Sequence, residues 1–309
     1  MKKVFIATLI LFLVSLHAQA APLRVVTTLP DLAEVVLRVG GDEVSVEALL
    51  TGKEDVHYVD ALPVYIQKVA NADIVCMMGL ELESSWLPKV LSKSGNAKVQ
   101  SGGKGYCDAS RNIQPIGKPT GPISRSMGDI HPSGNPHYNL SPSALKETAT
   151  TIANVLKENR PEKAEIFEAG LKKFHSDMDQ LRARITELLK PAIELSKKQP
   201  VVIEYHQEFS YFFSEYGIRS IGSIEEKPGV PPSAARIAKI ASASKKEGVR
   251  IAIAANYTPE NLLRRFRELS GIEFRQLPTA VHKSAEGTNR IEKLQEEIAN
   301  AIVNATKEK

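Results

Sequence analysis

Cysteine is scarce: Cys76 and Cys107 are the two in 309 residues. Neither belongs to a C-x-x-C pair, which excludes the closed thiolate zinc sites of fingers and ribbons. No H-E-x-x-H occurs, so the helix-borne zinc protease arrangement is absent as well. No nucleophile motif stands out. Beyond residue 20 no apolar run is long enough to cross a bilayer. Charge of one sign is not in excess either, with 40 basic and 36 acidic residues and a formal net charge of +4. That balance gives no case for nucleic acid or for an anionic membrane surface as partner.

What is present begins with a processing signal. Lys2-Lys3 precede an apolar stretch over residues 4–16, then Ala18-Gln19-Ala20 before Ala21. A basic start, a short apolar core and an A-x-A site predict a cleaved secretory signal over residues 1–20 and export to the periplasm. Its removal lowers the formal charge to +2. No cysteine follows the cleavage point, so no lipid anchor is expected there. In an exported protein Cys76 and Cys107 could pair. Spacing does not fix connectivity, and one buried thiol with one loop thiol is the alternative.

The remaining chain is long enough for two domains. Residues 23–28 are a β-rich run, and residues 31–39 carry Leu32, Val35, Val36 and Val39 at helical spacing before Gly40-Gly41. Strands are expected at 44–50, 74–78 and 98–100, helices at 63–70 and 84–91, with Trp86 in the core. Alternating strands and helices imply a parallel sheet covered by helices. Residues 102–136 are rich in Gly, Pro and Ser and read as one long loop. Helices follow at 142–158, with Ser141 as N-cap and Pro142 at the first position, and at 161–190. His175, among Lys172, Lys173 and Asp177, reads as a solvated surface residue. Strands at 201–205, 220–224, 251–255 and 273–276 then alternate with helices at 209–216, 233–247 and 259–269, and a last helix covers 289–306. The order of the first half is loosely repeated. The expected fold class is therefore α/β: an N-terminal (β/α) lobe over 21–140, linker helices over 141–198 and a C-terminal (β/α) lobe over 199–309, with a ligand cleft between lobes.

Three histidines stand in comparable places. His57 follows a strand and precedes a helix. His206 follows the apolar run Val201-Val202-Ile203 and precedes another. His137 lies in the proline-stiffened stretch 129–142, which ends at a helix start and also holds His131. Ligands of open parallel sheets collect beyond the carboxyl ends of the strands. Taken singly, each of these histidines is an ordinary loop or core residue, and spacing alone leaves that reading open. Their matched placement raises the expectation of one shared metal ion. Imidazole suits zinc, copper, nickel or iron, whereas calcium and magnesium prefer oxygen. A fourth carboxylate would close the site; a water would leave it open, as in hydrolytic zinc enzymes.

The segments RVVTTLPDLAEVV, GDEVSVEALLTGKEDVHYVDALP, ANADIVCMMGLELESSWL, GNPHYNLSP, VIEYHQEFSYFFSEYGI and KPGVPPS cover nearly all of the chain after residue 20. In this order they resemble the zinc- and manganese-binding solute-binding proteins of bacterial ABC importers, the cluster A-I or zinc-uptake family. The resemblance implies two (β/α) lobes joined by one long helix, a single metal in the cleft, and an inner-membrane ABC permease as partner of a monomeric carrier that is not an enzyme. It maps the family's ligands onto His57, His137 and His206. Histidine at the third place resembles the zinc-binding members, so Zn2+ is expected ahead of Mn2+. One departure stands out. The family's fourth ligand, an aspartate after the last strand of the second lobe, would fall within residues 274–279, which hold no acidic residue. Water, Glu204, Glu208, Glu225, His131 and His282 remain open for that place. Two other readings stand beside the carrier: a secreted hydrolase on an open three-histidine zinc site, with Glu204 or Glu208 as base, and an interaction protein whose histidines are incidental.

Overall fold

The computed structural model describes residues 21–121, 131–196, 200–225, 229–284, 287–288 and 290–307. The expected signal at 1–20 lies outside the described residues. Two four-stranded sheets carry the fold. The first comprises β1 (Leu23–Thr27), β2 (Val44–Ala48), β3 (Ile74–Met77) and β4 (Tyr106–Asp108), in the order β2-β1-β3-β4. The second comprises β5 (Val201–Glu204), β6 (Arg219–Ser223), β7 (Ile251–Ala255) and β8 (Phe274–Leu277), in the order β6-β5-β7-β8. Every pairing within these two sheets is parallel. The two lobes thus share one strand order, as the loose repeat in the sequence suggested. Central strands β3 (IVCM) and β7 (IAIAA) are buried along their whole length, because helices cover both faces of a parallel sheet.

Helices α1 (Pro30–Gly40), α2 (Pro63–Ala70) and α3 (Leu87–Ser94) belong to the first lobe. The second has α6 (Ser210–Tyr216), α7 (Ala234–Glu247), α8 (Glu260–Ser270) and α9 (Ile291–Lys307). In α1 the predicted stripe Leu32, Val35, Val36 and Val39 is buried. Between the two sheets in sequence come α4 (Pro142–Asn159), which packs against α1, and α5 (Ala164–Ser196). Ser141 caps α4 by accepting from the Ala144 N–H, with Pro142 at its first position, as expected. At 33 residues, α5 is about 50 Å long. It packs against α1 and α4 on one side and α9 on the other, tying the two lobes together.

One apolar cluster runs from Val25 and Ile74 through Phe174, Leu181 and Ile298 to Phe209 and Phe212 of the second lobe. A smaller one, with Ile203, Ala252, Leu263 and Phe266, fills the rest of that lobe. Shared packing of this kind resists wide hinge motion, since close-packed cores have discrete arrangements. Among the described residues no helix is long and apolar enough to cross a membrane.

Some expectations are corrected. Residues 98–100 are not a strand: Ala97–Val99 form a 3-10 turn capped by the Asn96 side chain. The fourth strand is β4, inside the segment read as loop, and at three residues it is too short to show a period. Helix α5 also continues past Pro191 to Ser196, although the proline removes one hydrogen bond of the ladder. His175 is half-buried, and its Nε2 lies 3.0 Å from the Lys146 carbonyl oxygen and 3.3 Å from Thr150 Oγ1, so it bridges α5 to α4 instead of facing water. Cys76 and Cys107 are neighbours in register on β3 and β4, and they are bonded as a disulfide.

Candidate metal centre

His57 sits in the loop between β2 and α2. Glu54 accepts from the backbone N–H groups of Thr51 and Lys53 and from the Thr51 hydroxyl, which tightens the loop upstream. Asp55 Oδ1 accepts from the His57 backbone N–H at 3.0 Å and from its ring Nδ1 at 2.8 Å. Downstream of β3, Ser85 donates to the His57 carbonyl at 2.6 Å and the buried Trp86 donates its indole N–H to the Val56 carbonyl at 3.0 Å. The backbone that presents His57 is therefore pinned from two sides.

His137 follows an Asx turn. Its backbone N–H donates to Asn135 Oδ1 at 2.9 Å, while Asn135 Nδ2 donates to the Gln207 carbonyl at 2.7 Å. Tyr211 donates its hydroxyl to the Asn135 carbonyl. On the other side, the fully buried Tyr138 donates to the Met78 carbonyl at 2.5 Å. Asn139 donates to Asp31 Oδ1 and to the Thr279 carbonyl, and Asp31 Oδ2 accepts from the Val281 N–H. His137 is thus framed by bonds that reach both lobes.

His206 stands between β5 and α6. Glu204 folds its carboxylate onto the start of α6, accepting from the Phe209 N–H at 3.1 Å and the Ser210 hydroxyl at 3.0 Å. The His206 ring donates Nδ1–H to Glu225 Oε2 at 2.7 Å, and Glu225 Oε1 also accepts from the Gly229 N–H.

One nitrogen from each of His57, His137 and His206 lies within 4.8 Å of the others, and ring centroids are 5.2, 5.4 and 5.4 Å apart. A carboxylate on Nδ1 of His57 and of His206 fixes the proton there and turns the Nε2 lone pair toward the shared space, the usual support for a metal-bound imidazole. His137 Nε2 and Glu208 Oε2 are buried without a hydrogen-bond partner among the described residues. Unpaired buried polar atoms are costly, so the unpaired His137 Nε2 in the histidine cluster marks a place for a further group. A zinc ion bonded at ~2.0–2.1 Å sets its nitrogens about 3.4 Å apart, so nitrogens within 4.8 Å of one another need to draw in by about 1.4 Å at most. The donor set fits zinc.

Electrostatics keep His131 and His137 neutral and set a proton in competition with metal at His206. Burial, with the neighbouring rings of His57 and His206, pushes His131 down to about 3, and His137 falls well below the ordinary imidazole value for the same reasons. Burial also resists charge on His206, but Glu208, Glu225 and Asp55 outweigh it and raise the ring to about 9. Burial raises Glu208, opposed by His206. Asp55 is held below the usual carboxylate range: burial would raise it, and the hydrogen bonds from His57 prevail.

Of the residues open for a fourth place, the structure separates several. Glu204 is bonded to the start of α6 and, raised to about 8 by burial, is a local cap. Glu225 is engaged by His206 and Gly229. His282 is outside the group of converging donors, with Nδ1 3.4 Å from the Ala280 carbonyl oxygen. Glu208 is buried, and with His57, His206 and Tyr257 it lines a cleft of about 510 Å³. His131 also lies outside that group of three, but its Nε2 is 3.2 Å from His57 Nε2. Sequence reading missed Asp55, Trp86 and Asn135. The Asn-Pro at Asn135-Pro136 was the one local signal, since it favours a turn built on the asparagine side chain.

The family model described as ZnuA, zinc-uptake complex component A periplasmic, matches residues 25–305. The zinc-binding lipoprotein AdcA of Streptococcus pneumoniae is 27% identical over 243 residues, covering 77% of this chain and 47% of AdcA. The chain spans about half the length of that relative. The manganese-binding lipoprotein MntA of Halalkalibacterium halodurans is 24% identical over 221 residues, covering 71% of this chain and 67% of MntA. A crystal structure of ZnuA superposes with a TM-score of 0.74 at 23% identity, covering 92% of this chain and 99% of that one, which establishes the shared fold. With nearly its whole length after residue 24 matched, the chain belongs to the ZnuA family of periplasmic zinc-uptake components.

Proposed function

We propose that the chain is the metal-carrying component of a zinc importer. It binds Zn2+ outside the cytoplasmic membrane through His57, His137 and His206 and passes it to an ABC-type permease. The observation that carries this reading is the meeting of three imidazole nitrogens, distant in sequence, within 4.8 Å at the seam of two lobes. Three neutral nitrogen donors favour zinc over manganese, which prefers oxygen-rich sites. The zinc-binding name of AdcA supports the same choice, while MntA shows that manganese binders are among the relatives.

The mechanism follows from the site. Asp55 and Glu225 hold two rings in the metal-binding tautomer, and the Asn135 amide sets the third relative to the loop of His206. Metal enters by displacing protons, so acid works against loading and favours release. The helical connection and shared core confine release to small movements of the ligand loops. The chain acts as a monomeric carrier, not an enzyme, after loss of residues 1–20, with lobes at 21–140 and 199–309 and linker helices at 141–198. Competitive dialysis of the purified protein against equal zinc and manganese tests the metal. Zinc should occupy the site almost alone; manganese in equal share would overturn the assignment.

A further inference from the structure

The geometry points to His131 as the fourth ligand, making this a four-imidazole zinc site. The inference rests on the carrier reading above and goes beyond it, because residues 274–279, in and just after β8, hold no acidic residue.

His131 Nε2 faces His57 Nε2 at 3.2 Å. Two nitrogens on the edge of a zinc tetrahedron are separated by about 3.3–3.4 Å. The pair is thus already set at the spacing that joint coordination demands. The hydrogen-bond pattern says why the contact is not an end in itself. His57 gives its Nδ1 proton to Asp55, so its Nε2 is an acceptor and His131 Nε2 must be the donor between them. The lone pair that His131 occupies is the one His57 needs for metal. Once zinc takes it, His131 Nε2 loses its partner in a site where its ring is half-buried. It then turns its proton to Nδ1 and binds the same ion, with no net change in charge.

The ring is also held in place for this. The His131 carbonyl accepts from the Gly134 N–H, closing a turn. Within that turn Ser133 donates its hydroxyl to Glu81 at 2.6 Å, which fastens it to the first lobe. His131 therefore approaches from the side of His57, in ring contact with both His57 and His137. Glu208 is the competitor, buried with Oε2 unpaired in the cleft that His57 and His206 also line, but its other oxygen already accepts from Tyr257.

Zinc K-edge X-ray absorption on the zinc-loaded full chain counts the rings directly. Four imidazoles are expected in the native protein, and three in His131→Ala and His131→Gln, with the zinc Kd raised ~10–100-fold. Circular dichroism identifies a variant that has not folded, and the native count alone then decides. Three imidazoles with an oxygen ligand in the native protein, unchanged in both variants, would overturn the inference and leave the carrier reading intact. Loss of that oxygen signal in Glu208→Gln would then give the fourth place to the carboxylate. A native chain that takes up no zinc would overturn both.

Discussion

Asn135 and Gln207 are joined across the cleft: the Asn135 amide donates to the Gln207 carbonyl at 2.7 Å while its oxygen accepts from the His137 backbone. One side chain therefore sets the distance between the loops of His137 and His206. Asn135→Ala removes both bonds but no ring. We expect zinc affinity to fall ~10–100-fold, as for outer partners of metal ligands, with the fold retained. Competition titration with a chromophoric chelator measures it, and an unchanged affinity would show that the loops are set by packing alone.

Glu225 orients His206 through its Nδ1. Glu225→Gln keeps an acceptor but loses the charge, so the expected loss of zinc affinity is smaller than for Glu225→Ala. Equal losses in the two variants would mean that the carboxylate charge is what matters, since Gln keeps both the volume and an acceptor.

The disulfide closes a loop of sequence separation 31 between adjacent strands. Constraint of the unfolded chain over such a loop is worth about 3–4 kcal/mol, so the paired change Cys76→Ala and Cys107→Ala should lower unfolding free energy by roughly that amount. Zinc stoichiometry should not change, because the bond lies at β3 and β4 and outside the histidine cluster. Denaturant titration and dialysis on the same variant check both statements.

Asp31 supplies a pH dependence. Buried, and only partly compensated by Asn139 and Val281, its carboxyl is raised to about 7. In the unfolded chain it titrates near its ordinary value of 3.8. Between these values the folded protein holds the extra proton, so this group's contribution to stability is greatest below pH ~4 and is lost as pH rises through about 7. The span amounts to about 4 kcal/mol at most. Glu204 slopes the same way between about 4.5 and 8 and His206 at higher pH, so the difference between metal-free native protein and Asp31→Asn isolates Asp31. The variant should lose the slope between pH 4 and 7; parallel stability curves would contradict the assignment.

Much of this architecture was legible in the residues because the signals were periodic or repeated. The stripe of α1, the Ser141-Pro142 start of α4 and the two rounds of strand and helix each follow from local pattern. His57, His137 and His206 were legible as a set through matched position and family resemblance, since no short motif joins residues so far apart. What escaped was set by tertiary contact. Strand β4 is three residues long and is defined by its neighbour β3. His175 looked solvated from its charged neighbours, yet α4 covers it. Trp86 and Asn135 act through backbone carbonyls and N–H groups, which any sequence contains, and Asp55 through the His57 ring and backbone N–H, so nothing in their identity announced the partner. Glu204 read as an open candidate, and the fold spends it on capping α6.

Equilibrium dialysis of the purified chain against 65Zn, with His57→Ala, His137→Ala and His206→Ala beside it, tests the central assignment most directly. One tightly held zinc per native chain, lost or greatly weakened in each variant, is the expected result. A stoichiometry far from one, or tight binding that survives all three substitutions, would contradict it.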